Sequence, residues 1–141
     1  MQRKASAVWH GDLKSGQGNI STASGVLKET QYSFGTRFEH GLGTNPEELI
    51  AAAHAGCFAM AFSAELGKSG FTPTAIHATA TVTLDKTDAG WTVTESHLDL
   101  TAKIPGIDQA KFTAISSAAK AGCPISRLLN AKVTLEAKLE A

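Results

Sequence analysis

One long helical segment with almost no polar side, residues 44–68, restricts the fold of this chain more than any other feature. Thr44-Asn45-Pro46-Glu47-Glu48 reads as its start. Asn45 suits the N-cap, Pro46 the first helical position, and Glu48 at the third position completes a capping box. From Leu49 through Ala64 the residues on almost every side are apolar or small, which places the helix at the buried centre of a fold rather than on its surface.

The flanking segments supply what would cover it. Residues 4–10, 18–22 and 34–38 read as strands separated by glycine turns. After the helix, residues 76–84 and 91–104 show threonine-rich alternation around a turn at 86–90, as in an antiparallel hairpin with one face in water. A helix over 108–121 stops at Gly122, a short helix over 124–129 follows, and residues 132–139 form a last strand. The class is α+β: antiparallel sheets around a long buried central helix. With no internal repeat, low-complexity tract or linker, residues 1–141 read as a single domain.

Composition excludes several partners. Thirteen basic and thirteen acidic residues cancel, so no electrostatic case exists for nucleic acid or an anionic membrane. Residues 1–13 lack the apolar core and cleavage site of a secretory signal, and the longest apolar run, residues 49–62, is too short to span a bilayer. The expectation is a cytoplasmic protein. Its cysteines would stay reduced there, so any disulfide between them would be transient and catalytic.

There are two cysteines, Cys57 in the middle of the apolar helix and Cys123 between Gly122 and Pro124, where one helix ends and another begins. No Cys-x-x-Cys or repeated His/Cys spacing supports zinc, and a chain of this length that is 43% hydrophobic has no need of a structural crosslink. Two readings stay open on residue type alone: a redox pair, or two unconnected buried thiols packing as small hydrophobes. The reactive form is the thiolate, favoured at a helix N-terminus or beside a cation. Cys123 has the first aid. Cys57 would need a cation, and Arg37, within Phe34-Gly35-Thr36-Arg37-Phe38-Glu39, is the basic residue in the most motif-like setting; a strand arginine paired with a surface carboxylate is the alternative.

Taken together, Thr36-Arg37-Phe38-Glu39, Thr44-Asn45-Pro46-Glu47-Glu48-Leu49-Ile50 running into Ala53-His54-Ala55-Gly56-Cys57-Phe58, and Gly122-Cys123-Pro124 resemble the OsmC branch of the OsmC/Ohr family. Gly25-Val26-Leu27 and Gly70-Phe71-Thr72-Pro73-Thr74 extend the likeness over nearly the whole chain. The resemblance implies a cysteine-based peroxidase that reduces organic hydroperoxides to alcohols, needs no cofactor, forms an intertwined homodimer and is recharged by a dithiol such as a lipoylated protein. Position by position it makes Cys57 the peroxidatic cysteine, Cys123 the resolving one, Arg37 the activating arginine and Glu47 the carboxylate that holds it. In those roles Arg37 would favour the Cys57 thiolate and the alkoxide formed as the O–O bond breaks, and Cys123 would condense with the Cys57 sulfenic acid.

Glu47 and Cys57 are ten positions apart on one helix, or roughly 15 Å along its axis. They cannot meet within it. The expectation is that Arg37 and Glu47 reach Cys57 from a partner subunit. His54, three residues before Cys57, invites a Cys-His hydrolase or metal reading, but reads better as a packed, hydrogen-bonded histidine. It also stands where thioredoxin-fold peroxiredoxins carry threonine. Phe58, Met60, Phe62, Phe112, Ile125 and Leu128 lie close in sequence to the thiols and would line an apolar pocket suited to alkyl hydroperoxides. A non-catalytic redox sensor and a hydrolase that needs only Cys57 are the competing classes.

Overall fold

The computed structural model describes residues 1–141, which fall into two compact units, Met1–Leu49 and Ile50–Ala141. In the first, strands β1 (Ala5–His10), β2 (Gln17–Thr22) and β3 (Thr30–Ser33) form an antiparallel sheet in the order β1-β2-β3. Its register aligns Trp9, Gly18 and Tyr32 across the three strands. Gly18 has to be glycine: a Cβ there would lie 2.5 Å from the Tyr32 ring and 2.8 Å from the Trp9 ring. The two rings instead approach over it, 5.3 Å between centroids.

Residues 34–38, read from sequence as a strand, form the one-turn helix α1 (Phe34–Phe38). The cause is a reciprocal cap. The Ser33 hydroxyl accepts from the Thr36 N–H, and the Ser33 N–H donates to Thr36 Oγ1 at 2.8 Å, so two amide donors at the turn are satisfied locally. That outweighs the strand-like alternation.

Helix α2 (Pro46–Lys68) starts in the first unit and runs unbroken through the second. Asn45 caps it as expected, accepting from the Glu48 N–H at 2.8 Å. The other half of the expected box is absent, because Glu48 accepts instead from the Thr44 hydroxyl at 2.9 Å. At 23 residues α2 is also long and apolar enough to cross a bilayer, contrary to the reading of the shorter run 49–62.

In the second unit, β4 (Ala75–Thr87) and β5 (Gly90–Lys103) form the expected antiparallel hairpin. Helix α3 (Gln109–Gly122), capped by the Asp108 carboxylate, and the short α4 (Pro124–Leu128) return the chain to β6 (Lys132–Glu140). β6 pairs parallel to β5, so this sheet is mixed rather than purely antiparallel; the helical crossover makes that pairing reachable. Leu98, Leu100 and Ala102 alternate inward along β5 and meet Phe58, Phe62 and Leu66 of α2 and Phe112 of α3 in one core. Phe62 meets Phe112 edge-on at 5.8 Å.

The spacing of the buried residues of α2, His54, Phe58, Phe62 and Leu66, is four throughout, which is one helical stripe. The expectation of burial on all sides is not met within one chain. Ala52, Ala53, Gly56, Ser63, Ala64 and Gly67 are exposed, as is Met60 at 77%.

Candidate functional site

The second unit brings the two thiols together. Cys57 Sγ, on the second turn of the buried stretch of α2, and Cys123 Sγ, at the junction of α3 and α4, lie 3.1 Å apart, both free. Sixty-six positions of sequence separate them, and the α3–α4 corner closes the gap. Gly122 ends α3, the Cys123 N–H is still bonded to Ala119 O, and Pro124 opens α4, so Cys123 is held at both helix ends at once.

The donors around the sulfurs are unequal. Burial raises the Cys57 thiol above its ordinary value, and donation to Cys123 raises it further; the Ile125 N–H only partly opposes this. Burial pushes Cys123 the same way, but the Ser126 N–H, the Cys57 thiol, the Ser126 hydroxyl and the Ile125 N–H together bring it below its ordinary value. The sulfur pair is aligned for Cys123 to donate to Cys57, yet the surrounding donors favour the opposite sharing, with the proton on Cys57. We assign the latter within this unit, because more donors converge on Cys123.

His54 is fully buried one turn before Cys57 and bonded at both nitrogens, Nδ1 to Ser96 Oγ at 2.6 Å and Nε2 to Ser126 Oγ at 2.8 Å. It is the satisfied buried histidine expected from sequence. Its two partners, Ser96 and Ser126, lie outside the motifs of the sequence. Ser126 carried a weak local signal, a hydroxyl three residues after a helix-capping position; Ser96 had none, since its partner is 42 positions away.

In the first unit, α1 and the start of α2 bring Arg37 and Glu47 together. Arg37 Nη2 donates to Glu47 Oε1 at 2.7 Å and Nε to Oε2 at 3.2 Å, a bidentate pair. Gly43, with φ +139° and a position where a Cβ would meet Gln31 O at 2.6 Å, allows the connecting loop to turn this tightly. The Asn45 amide then donates to Thr36 O at 3.0 Å, tying the cap of α2 to α1. The guanidinium carbon also lies 5.3 Å from the centre of the Phe38 ring.

Beside this pair is a cavity of about 290 Å³ lined by Trp9, Leu13, Tyr32, Ser33, Phe34, Arg37, Phe38 and Pro46. It is not the pocket expected from sequence. Phe58, Phe62 and Phe112 have no exposed surface and belong to the core, while Met60 and Leu128 are 77% and 73% exposed. Proximity to a cysteine along the chain did not translate into a lining position.

An α+β fold carrying two free thiols at near-contact distance, with a carboxylate-held arginine, defines a dithiol redox class of protein. The family model for OsmC-like proteins matches residues 39–138, and the chain belongs to that family. It is 53% identical over 140 residues to the Peroxiredoxin OsmC of Escherichia coli (strain K12), a match covering 99% of this chain and 98% of the relative. Among solved structures, an organic hydroperoxide resistance protein OsmC from Legionella pneumophila is 25% identical with a TM-score of 0.68, covering 98% of this chain and 97% of that one. An OsmC-like protein of unknown function from Vibrio cholerae shares the fold with a TM-score of 0.76 at 17% identity, over 97% and 99% of the two chains.

Proposed function

We propose that this protein is a two-cysteine peroxidase that reduces organic hydroperoxides to alcohols. The observation that carries this reading is the 3.1 Å separation of the two free sulfurs. The Cys57 thiolate attacks the terminal peroxide oxygen, the O–O bond breaks, and the alcohol leaves, with Cys57 as a sulfenic acid. Cys123 then attacks the Cys57 sulfur, water departs, and an external dithiol, such as that of a lipoylated protein, reopens the disulfide by exchange. The likeness to proteins named for peroxide reduction supports this assignment.

First attack at Cys57 requires reversing the local preference for charge on Cys123, since none of the influences on Cys57 within its own unit is a cation. Arg37 supplies that cation in the proposed site. Glu47 grips its Nε and Nη2 edge and fixes the guanidinium plane, while Nη1 is left to face the sulfur and the peroxide oxygen. The apolar cavity beside Arg37 would take the alkyl tail, and hydrogen peroxide gains nothing from such a wall.

A homodimer completes this reading. The exposed stripe Ala53, Gly56, Met60 and Ala64 on α2 suits close packing against a second copy, and a Cβ at Gly56 would meet nothing within 4 Å in one chain. Arg37 and Glu47 of one subunit would then serve Cys57 of the other. With its remaining apolar surface covered in this way, α2 is a core helix of a cytosolic protein rather than a membrane span.

Turnover of cumene hydroperoxide against hydrogen peroxide, with a dithiol donor, tests the proposal. Intact mass after one equivalent of peroxide should fall by two hydrogens, and Cys123→Ser should stop after one turnover. A Cys123→Ser variant that still turns over cumene hydroperoxide normally would instead indicate a one-cysteine peroxidase.

A further inference from the structure

Away from the thiols, one cluster of side chains has the makings of a metal-ion site and no part in the chemistry above. It lies on the outer face of the second sheet. Leu98 and Leu100 of β5 point into the core, so His97 and Asp99, which alternate with them, point away from it. The parallel register sets Thr134 of β6 beside His97 and Glu136 beside Asp99. His97, Asp99 and Glu136 each bring a ligand atom within 4.8 Å of the other two.

The surroundings aim these atoms at one another. His97 Nδ1 lies 2.6 Å from Thr134 Oγ1, whose hydroxyl is directed at Glu95 Oε1, 3.4 Å away. With its own proton turned to Glu95, Thr134 accepts from Nδ1–H, and the lone pair of the neutral ring is left on Nε2. That nitrogen faces Asp99 Oδ1 at 3.5 Å. Two acceptors opposed at this distance, with a second carboxylate alongside, call for a cation between them or a proton on the ring. No lysine or arginine supplies the charge. Lys132 is turned to Glu95 Oε2, at 3.9 Å, and the other ion pairs of Lys and Arg involve neither Asp99 nor Glu136.

We infer that His97, Asp99 and Glu136 form an exchangeable site for a divalent first-row transition cation, with Thr134 orienting the imidazole. The donor set narrows the class of ion. An imidazole beside two carboxylates suits manganese, iron(II) or zinc, whereas an all-oxygen set is what calcium and magnesium take. Three ligands from two neighbouring strands occupy one side of the ion and leave its solvent side to water, so it would exchange freely. Bound there, it would tie β6 to β5 across the parallel pairing. The site is on the face of the sheet opposite the core that contains Cys123, and the inference holds whether or not the protein is a peroxidase.

Mn²⁺ is the probe, because it is paramagnetic and, as a harder ion, has little affinity for the two thiols. Titration of the whole reduced chain, followed by the electron paramagnetic resonance signal of free Mn²⁺, should show one bound ion per chain. The His97 ring signals should broaden selectively in the NMR spectrum. Asp99→Asn and Glu136→Gln, isosteric changes on different strands, should each weaken binding about tenfold or more, and so should Thr134→Val, which removes no ligand. Mn²⁺ should raise the melting temperature of wild type but not of Asp99→Asn, while reaction of the thiols with cumene hydroperoxide stays unchanged. Wild-type protein that leaves the free-ion signal undiminished at millimolar concentration would overturn the site. So would binding within about twofold of wild type in both carboxylate variants, and the same result in Thr134→Val would overturn the orienting role given to that residue.

Discussion

At the scale of single residues, the structure sets two burials against each other. Cys57 and His54 sit one turn apart on α2, and both are pushed toward their neutral forms by desolvation. For Cys57 this is a deficit that Arg37 would correct in the proposed site. Arg37→Met and Glu47→Gln are therefore expected to slow sulfenic acid formation, the first by about a hundredfold and the second by less, without preventing disulfide formation by an added thiol oxidant. Oxidation of both variants at the wild-type rate would remove Arg37 from the chemistry. For His54 the consequence is a pH dependence of stability. Its folded-state pKa lies below the ordinary 6.5, so the unfolded chain binds the proton first as pH falls. The stabilisation is complete above about pH 6.5 and is lost as pH drops through the folded value. Asp12 and Asp108, lowered from 3.8, act only in stronger acid. Thermal melts between about pH 7 and 5 should slope downward, and His54→Gln should flatten that slope; equal slopes would assign the acid limb to other groups.

At the scale of elements, caps and tight turns position the chemistry, and they were legible to different degrees. Asn45 and Pro46 marked the start of α2, and Asp108 and Gly122 bounded α3, because capping chemistry is local and written in adjacent residues. Residues 34–38 resemble a strand in sequence because alternating Phe, Thr and Phe match a period of two, while the Ser33–Thr36 cap that decides the matter lies half outside the segment. Ser96 and the Trp9–Gly18–Tyr32 wall were invisible, since each depends on pairing across distant strands or helices. The pairing of Cys57 with Cys123 came from resemblance, not spacing. Asn45 shows how a legible cap also serves the site, because it joins α2 to α1 through Thr36 O. Asn45→Ala should cost about 1–2 kcal/mol in denaturant titration. Asn45→Asp, which keeps the cap acceptor and loses the amide donor, should recover part of it. No difference between Ala and wild type would mean the helix start is held by Pro46 and packing alone.

At the scale of the whole molecule, α2 poses the question that composition raised first. Its buried stripe accounts for Phe58, Phe62 and Leu66, but its opposite side leaves Met60 and a run of small residues uncovered in one chain. Glu47 and Cys57 meanwhile stand about 15 Å apart along its axis, farther than one guanidinium bridges while gripping Glu47 with two bonds. In the proposed dimer, a second copy packed antiparallel along that side would account for both facts if the two-fold axis crosses α2 midway between Glu47 and Cys57, setting the amino end of each helix beside Cys57 of the other. Mixing inactive variants decides between shared and self-contained sites. Cys57→Ser retains Arg37, and Arg37→Met retains Cys57. After subunit exchange, each mixed dimer would hold one intact site if the residues come from opposite subunits, so the mixture should regain about a quarter of wild-type peroxidase activity. Sedimentation at about twice 14.7 kDa, lost in Gly56→Leu, should accompany it. A mixed population that exchanges fully yet stays inactive would place Arg37, Glu47 and Cys57 of one chain in the same site, and the antiparallel arrangement of α2 would have to be abandoned.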